Sequence, residues 1–194
     1  MDSSRARAYL PPFLKIVEVF PGKTLAGVYV TYYKPGSTLE YNEALLSPAL
    51  VSYKGKVGFW VSHIYVDSEE SMIGGRLGLG MPKEIAGFRY APGQKLSVTV
   101  VKDGDTILSL SCSKPFMLWR QNFKAAVFGL VGKDLIRFSN NWNLKFGFTK
   151  VSLDIGLQSP LHNIKLGSPI ISVYGQDINA LLGKQAKLIA AINV

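Results

Sequence analysis

"KLSVTVVKDGDTILSLSC" occupies Lys95–Cys112. Apolar and polar residues alternate on both sides of Asp103-Gly104, the period of a strand with one face on a core. Asp-Gly suits the positive φ of a tight hairpin turn. The stretch therefore predicts a β-hairpin, and the same texture spreads outward from it. Toward the N-terminus lie "LKIVEVF" (Leu14–Phe20), "AGVYVTYY" (Ala26–Tyr33) and "LVSYKGKVGFWVSHIYV" (Leu50–Val66), the last a hairpin turning near Lys54-Gly55. Toward the C-terminus lie "WNLKFGFTKVSLDIG" (Trp142–Gly156) and "SPIISVYG" (Ser168–Gly175). Gly, Pro, Ser and Asp turns punctuate these runs. Many strands at short spacing predict a mainly β (α+β) chain, an antiparallel barrel-like or conical sheet with a few flanking helices. Two helices are expected. One lies within Pro115–Val131, where apolar residues fall three and four apart. The other follows Asp177 as its cap, with Ile178, Leu181, Leu182, Leu188, Ile189 and Ile192 on one side.

The chain has 194 residues, 47% hydrophobic and 18% charged. That composition is globular, and the length suits a single domain, 1–194, that hides roughly 70% of its unfolded surface. The longest apolar run, "AAVFGLVG" (Ala125–Gly132), is far short of the about 20 residues a membrane helix needs. "MDSSRARAYLPPFLK" is broken by two prolines and does not read as a secretory signal. Cys112 is the one cysteine, so no internal disulfide forms, and a cytosolic setting is expected. The net charge of +9 favours anionic partners. Its basic residues are scattered and no nucleic-acid motif accompanies them, so nucleic acid is not expected. "SKPFMLWRQNFK" (Ser113–Lys124) mixes basic and aromatic residues and suits weak contact with an anionic membrane surface. Two histidines, His63 and His162, are too few for a histidine metal site, and no G-x-S-x-G elbow is present. His63, in a strand, reads as a packed or hydrogen-bonded side chain.

"GGRLGLGMPKEIAG" (Gly74–Gly87) is the stretch that carries chemistry. A phosphate loop is excluded: Pro82 has no N–H to offer, Glu84 stands where Ser or Thr belongs, and the third glycine of a dinucleotide fingerprint is Lys83. Pro82 fixes its own φ and biases Met81 toward an extended conformation, so Lys83 is held in a defined direction. Its neighbours Leu77, Leu79, Met81 and Ile85 are apolar. A lysine dried among them loses hydration, which lowers its pKa by up to about 3–5 units at full burial. Only about one part in a thousand of a free lysine is neutral at pH 7, and only the neutral amine attacks a carbonyl. The residues alone leave two readings open, a dry nucleophilic amine and a turn lysine in water.

"GRLGLGMPKEIA" (Gly75–Ala86) resembles the Gly-Arg…Pro-Lys signature of the acetoacetate decarboxylase family. Upstream, "YNE" with Glu43, "YVD" with Tyr65 and Asp67, and "PPFLKI" (Pro11–Ile16) resemble segments of that family in register, so the likeness runs from Tyr9 to Tyr90. The resemblance implies an acetoacetate decarboxylase-like fold and covalent catalysis without cofactor or metal. Lys83 would form a Schiff base with a small-molecule carbonyl or keto-acid substrate, in the manner of a carbon–carbon lyase. It implies Glu43 as the active-site carboxylate; from the residues alone Glu43 reads equally as a solvated acid. Arg76, Met81 and Tyr65 are the expected substrate contacts. Arg76 suits a two-pronged grip on a carboxylate, or a structural tie to Asp67 or a carbonyl. A homo-oligomer is implied as well.

Four departures from the family pattern bear on the reaction. Glu84 replaces a second lysine, and it would keep the amine charged if it came close. On an extended segment, though, the two side chains point to opposite faces. Leu77 replaces an acid. "AGVYVTYY" carries no carboxylate. The family's arginine-bearing N-terminal portion has no clear counterpart, and Arg5 and Arg7 are the basic residues near its place. The lysine and scaffold thus point to Schiff-base chemistry of decarboxylation, aldol or dehydration type. The alternative is a non-catalytic barrel that carries an apolar ligand such as a lipid or pigment.

Overall fold

The computed structural model describes residues 1–91 and 95–192. Contacts sort the chain into two compact units that interleave in sequence. One comprises Met1–Ile85, Ala125–Asn140 and Leu182–Val194; the other comprises Ala86–Lys124 and Asn141–Leu181. Three long strands, Phe116–Val131, Asp134–Phe148 and Val173–Ala191, supply residues to both.

The first unit holds the sheet that carries Glu43 and Lys83. Its four strands, in spatial order, are β1 (Gly27–Tyr33), β2 (Tyr41–Ser47), β3 (His63–Val66) and β4 (Lys83–Ile85). The β1–β2 and β2–β3 pairs are antiparallel and β3–β4 is parallel. The parallel step needs a crossover, and the helix α1 (Glu69–Leu79) supplies it. Ser68 caps α1, its hydroxyl accepting from the Ser71 N–H at 3.1 Å. Glu69 and Glu70 complement the positive end of the helix, and Gly80 ends it in the left-handed region at φ 61°. The expected hairpin at Lys54-Gly55 is present, joining Ala49–Tyr53 to Lys56–Trp60 with both turn residues at positive φ. Two apolar clusters fill this unit. One gathers Leu14, Ala49, Val51, Phe128 and Leu135; the other gathers Tyr41, Val61, Ile64, Val66, Met81, Val127 and Phe138.

The second unit is built on the hairpin that opened the sequence reading. Leu96–Lys102 pairs with Asp105–Cys112, with Asp103 and Gly104 at φ 53° and 89°. Gly87–Ala91 and Val151–Ile155 flank it, all antiparallel. Val98, Val100, Ile107, Leu108 and Cys112 are buried.

The chain is mainly β, as the sequence predicts, with three corrections. Among the described residues the strands form four sheets, of six, four, two and four strands, and no closed barrel. The helices expected within Pro115–Val131 and after Asp177 are strands. Met117, at the start of the first, and Asp177, Gly183 and Gln185, inside the second, take positive φ. Pairing then enforces extension, with Val127 and Phe128 parallel to Phe59 and Trp60. Conversely, the glycine-rich stretch read as a bend is mostly the helix α1.

Candidate active site

Register decides which side chains meet. Glu43 lies opposite Thr31 on β1 and Val66 on β3, and Lys83 on β4 lies beside Ile64. Alternation therefore puts Tyr29, Tyr33, Tyr41, Glu43 and Lys83 on one face of the sheet. Tyr65 pairs with Glu84 and belongs, with His63, to the other.

The lysine is aimed by its surroundings. Met81, Pro82 and Lys83 form a three-residue turn closed by the Lys83 N–H on the Met81 carbonyl at 2.8 Å. The proline ring pre-sets the φ such a turn needs at its centre. Arg76 donates from Nε to the Lys83 carbonyl at 2.7 Å. The side chain then runs across Gly75, where a Cβ would come within 2.6 Å of the Lys83 Cδ.

At its end the ammonium meets three acceptors. Glu43 Oε2 is 2.8 Å away, Ser71 Oγ 2.8 Å and the Tyr41 hydroxyl 3.4 Å. Three N–H donors thus find three partners in a site where the Lys83 and Glu43 side chains are 9% and 7% exposed. Tyr41 donates to Glu43 Oε2 and Tyr33 to Glu43 Oε1, each at 3.3 Å. The two tyrosine rings stack with centroids 4.5 Å apart, and the ammonium lies 4.9 Å from the Tyr41 centroid. Burial, then the neighbouring Glu43 charge, pushes the Tyr33 and Tyr41 hydroxyls up from the usual phenol value. Asp67 fixes the strand that carries Glu43 by accepting from the Asn42 N–H and Nδ2, both at 2.7 Å.

The structure brings Lys83 and Glu43 together, and the amine's hydrogen-bond partners are Glu43, Ser71 and Tyr41 rather than Arg76, Met81 or Tyr65. Arg76 takes the structural alternative, its tie falling on the Lys83 carbonyl rather than on Asp67. It also lines, with His63, Ser62, Met81 and Trp60, a cleft of about 510 Å³. Lys83, Glu43, Tyr41 and Ser71 are not among the walls of that cleft. Met81 is buried and packs with Tyr41, Ile64 and Val66. Tyr65 is buried on the opposite face, where desolvation and then Glu84 push its hydroxyl up to about 12. The same alternation turns the Glu84 side chain away from the amine. Leu77 is 72% exposed on α1. Arg7 is occupied by the carbonyls of Leu10, Pro11 and Leu14, and Arg5 pairs with Asp2 at 3.7 Å. His63 is hydrogen-bonded, as expected, its Nδ1 2.9 Å from the Ser62 hydroxyl. Ser71, Tyr33 and Tyr41 were missed. The period-two run Tyr29, Thr31, Tyr33, facing the "Y-x-E" strand, was the signal for the tyrosines.

The site is a buried lysine held against one carboxylate, one phenol and one serine hydroxyl. The profile of the acetoacetate decarboxylase (ADC) family matches residues 1–116, and the chain belongs to that family. Acetoacetate decarboxylase from Legionella pneumophila has the same fold, with a TM-score of 0.70 at 19% identity over 97% of this chain and 81% of its own. The enduracididine biosynthesis enzyme MppR, complexed with pyruvate, gives 0.68 at 16% identity over 98% and 85%. An acetoacetate decarboxylase-like enzyme from Sphingomonas wittichii gives 0.65 at 17% over 99% and 88%. In sequence the chain is similar to Protein NEOXANTHIN-DEFICIENT 1 of Oryza sativa, 27% identical over 57% of this chain, and of Solanum lycopersicum, 30% identical over 45%. The chain spans about a third of the length of these curated relatives, 36% and 30% respectively.

Proposed function

We propose that the chain is a Schiff-base-forming lyase in which Lys83 attacks a small carbonyl compound and Glu43 moves the protons. The observation that carries this reading is the 2.8 Å contact between the buried Lys83 amine and Glu43. In that pair Glu43 is placed to take the ammonium proton and free the nucleophile, within the reach general-base catalysis needs. The iminium formed on Lys83 is the electron sink shared by decarboxylation, aldol cleavage and dehydration. Family membership supports the same chemistry. The test is borohydride trapping with β-dicarbonyl compounds, read by mass spectrometry. A reduced adduct on Lys83, lost in Lys83→Ala, is expected; no adduct with any carbonyl probe would reject the reading.

The relatives named for a deficiency in neoxanthin favour a second reading, a non-catalytic fold that holds an apolar ligand such as a pigment. Native mass spectrometry separates the two, because a ligand retained by the Lys83→Ala variant belongs to the carrier reading.

A further inference from the structure

Resting on the Schiff-base reading of Lys83, we propose that Ser71 is a further catalytic residue, a hydroxyl that carries a proton from the Lys83 nitrogen to the substrate oxygen as the carbonyl is attacked. Its Oγ lies 2.8 Å from the Lys83 Nζ, as close as Glu43, and the residue is 4% exposed. The helix puts it there. Ser71 and Gly75 stand four residues apart and are the buried residues of α1, so they share the face that the lysine crosses. The lysine side chain passes Gly75 and ends on Ser71. The Ser71 N–H is held by the Ser68 hydroxyl at 3.1 Å, which anchors this turn.

Carbonyl addition calls for such a group. A neutral amine that attacks a ketone or aldehyde becomes a positively charged nitrogen, and the carbonyl oxygen becomes an alkoxide. A proton on that nitrogen must reach the alkoxide to give the neutral carbinolamine. Direct transfer closes a strained four-membered ring, and an intervening hydroxyl widens the ring to six. At that moment Glu43 already holds the proton taken from the ammonium, and Ser71 is the second group 2.8 Å from the nitrogen.

Ser71 Oγ accepts the nitrogen's proton and releases its own to the alkoxide. One N–H and one O–H bond break while two O–H bonds form, and the serine ends as it began. Glu43 then gives its proton to the carbinolamine hydroxyl, water leaves, and the iminium forms beside the restored carboxylate. In the resting site the Lys83 ammonium donates to Ser71, and Ser71 hydrogen-bonds to the Tyr41 hydroxyl. A serine hydroxyl changes its acceptor by turning about one bond.

The experiment follows, by stopped-flow absorbance, formation of the vinylogous amide between Lys83 of the full chain and 2,4-pentanedione across a pH series. It yields a saturating rate and a half-saturating ketone concentration. Ser71→Ala is expected to lower the saturating rate at least roughly tenfold, including on the alkaline plateau where the rate no longer rises with pH. The half-saturating concentration should barely move, and Ser71→Thr, which keeps the hydroxyl, should stay within about threefold of the parent. A hydroxyl that merely received the ammonium would favour the unreactive charged form; its removal would speed the reaction below the plateau and leave the plateau unchanged. That result, a loss confined to the half-saturating concentration, or a Ser71→Thr variant as slow as Ser71→Ala overturns the proposal. So does a parent rate indifferent to heavy water, a measurement independent of whether any variant folds. A parent chain that forms no vinylogous amide removes the Schiff-base reading and this proposal with it, whereas normal formation unaffected by Ser71→Ala removes this proposal alone.

Discussion

Gly75 and Lys83 share one space: a Cβ on the glycine would come within 2.6 Å of the lysine Cδ and 2.7 Å of its Cε. The helix that precedes the lysine thus carries a gap through which the lysine side chain passes to Glu43.

Gly75→Ala is therefore expected to cost both activity and stability. The obstructed atoms are in a flexible side chain, which swings aside, and alanine improves helix propensity by about 1 kcal/mol. Pulling the amine off Glu43 leaves a buried carboxylate without its cation, a loss of up to about 3–5 kcal/mol that outweighs the helix gain. The amine also leaves its position, so Lys83 trapping should fall at least roughly tenfold, since small misplacements of a reacting group cost rate steeply. Unchanged trapping kinetics would show that the gap does not aim the lysine.

The buried pair should behave as a unit. Lys83→Met leaves the Glu43 carboxylate with only tyrosine donors and is expected to cost about 3–5 kcal/mol. Adding Glu43→Gln removes the stranded charge and should recover much of that loss. Urea unfolding of the two single variants and the double variant measures the coupling, and simple additivity would contradict the ion pair.

Gly80 stops α1 in a left-handed conformation, and a Cβ there would come within 2.4 Å of the Leu130 backbone nitrogen. The Gly80 carbonyl also accepts from the Leu130 N–H at 3.1 Å. Gly80→Ala should destabilise by more than about 2 kcal/mol, because backbone strain and a backbone clash act together. A melting temperature equal to that of the parent would refute this cap.

His63 gives the chain an acid-side sensitivity. Burial lowers its pKa, against a smaller opposing pull from Glu84. The folded state thus favours the neutral ring, and the unfolded chain binds the proton first as pH falls. Stability from this group is complete above the unfolded value of about 6.5 and is lost as pH drops through the lower folded value. Comparing melting temperatures of parent and His63→Gln between pH 7.5 and 5 checks the sign: the parent should lose more stability toward acid.

The sequence alone determined the β character and the two turns at Lys54-Gly55 and Asp103-Gly104, and it singled out Lys83 without deciding between a dry amine and a turn lysine in water. Those features are local: a period of two, positive-φ dipeptides, and a proline that directs its neighbour. It also placed Glu84 on the face opposite Lys83, because alternation along an extended strand needs no tertiary information. Tertiary structure decided the rest. The strands Phe116–Val131 and Val173–Ala191 carry helical spacing, and strand pairing overrides that pattern. The glycines before Lys83 looked like a bend and became a helix, since the capping by Ser68 and Gly80 and the passage for the lysine outweigh their poor propensity. The partners of the amine lie 12, 40 and 42 residues from it, on elements that meet only through register. No local signal fixes a hydrogen bond over such separations, so Ser71 and Tyr41 entered the site only when the sheet and its crossover helix were assembled.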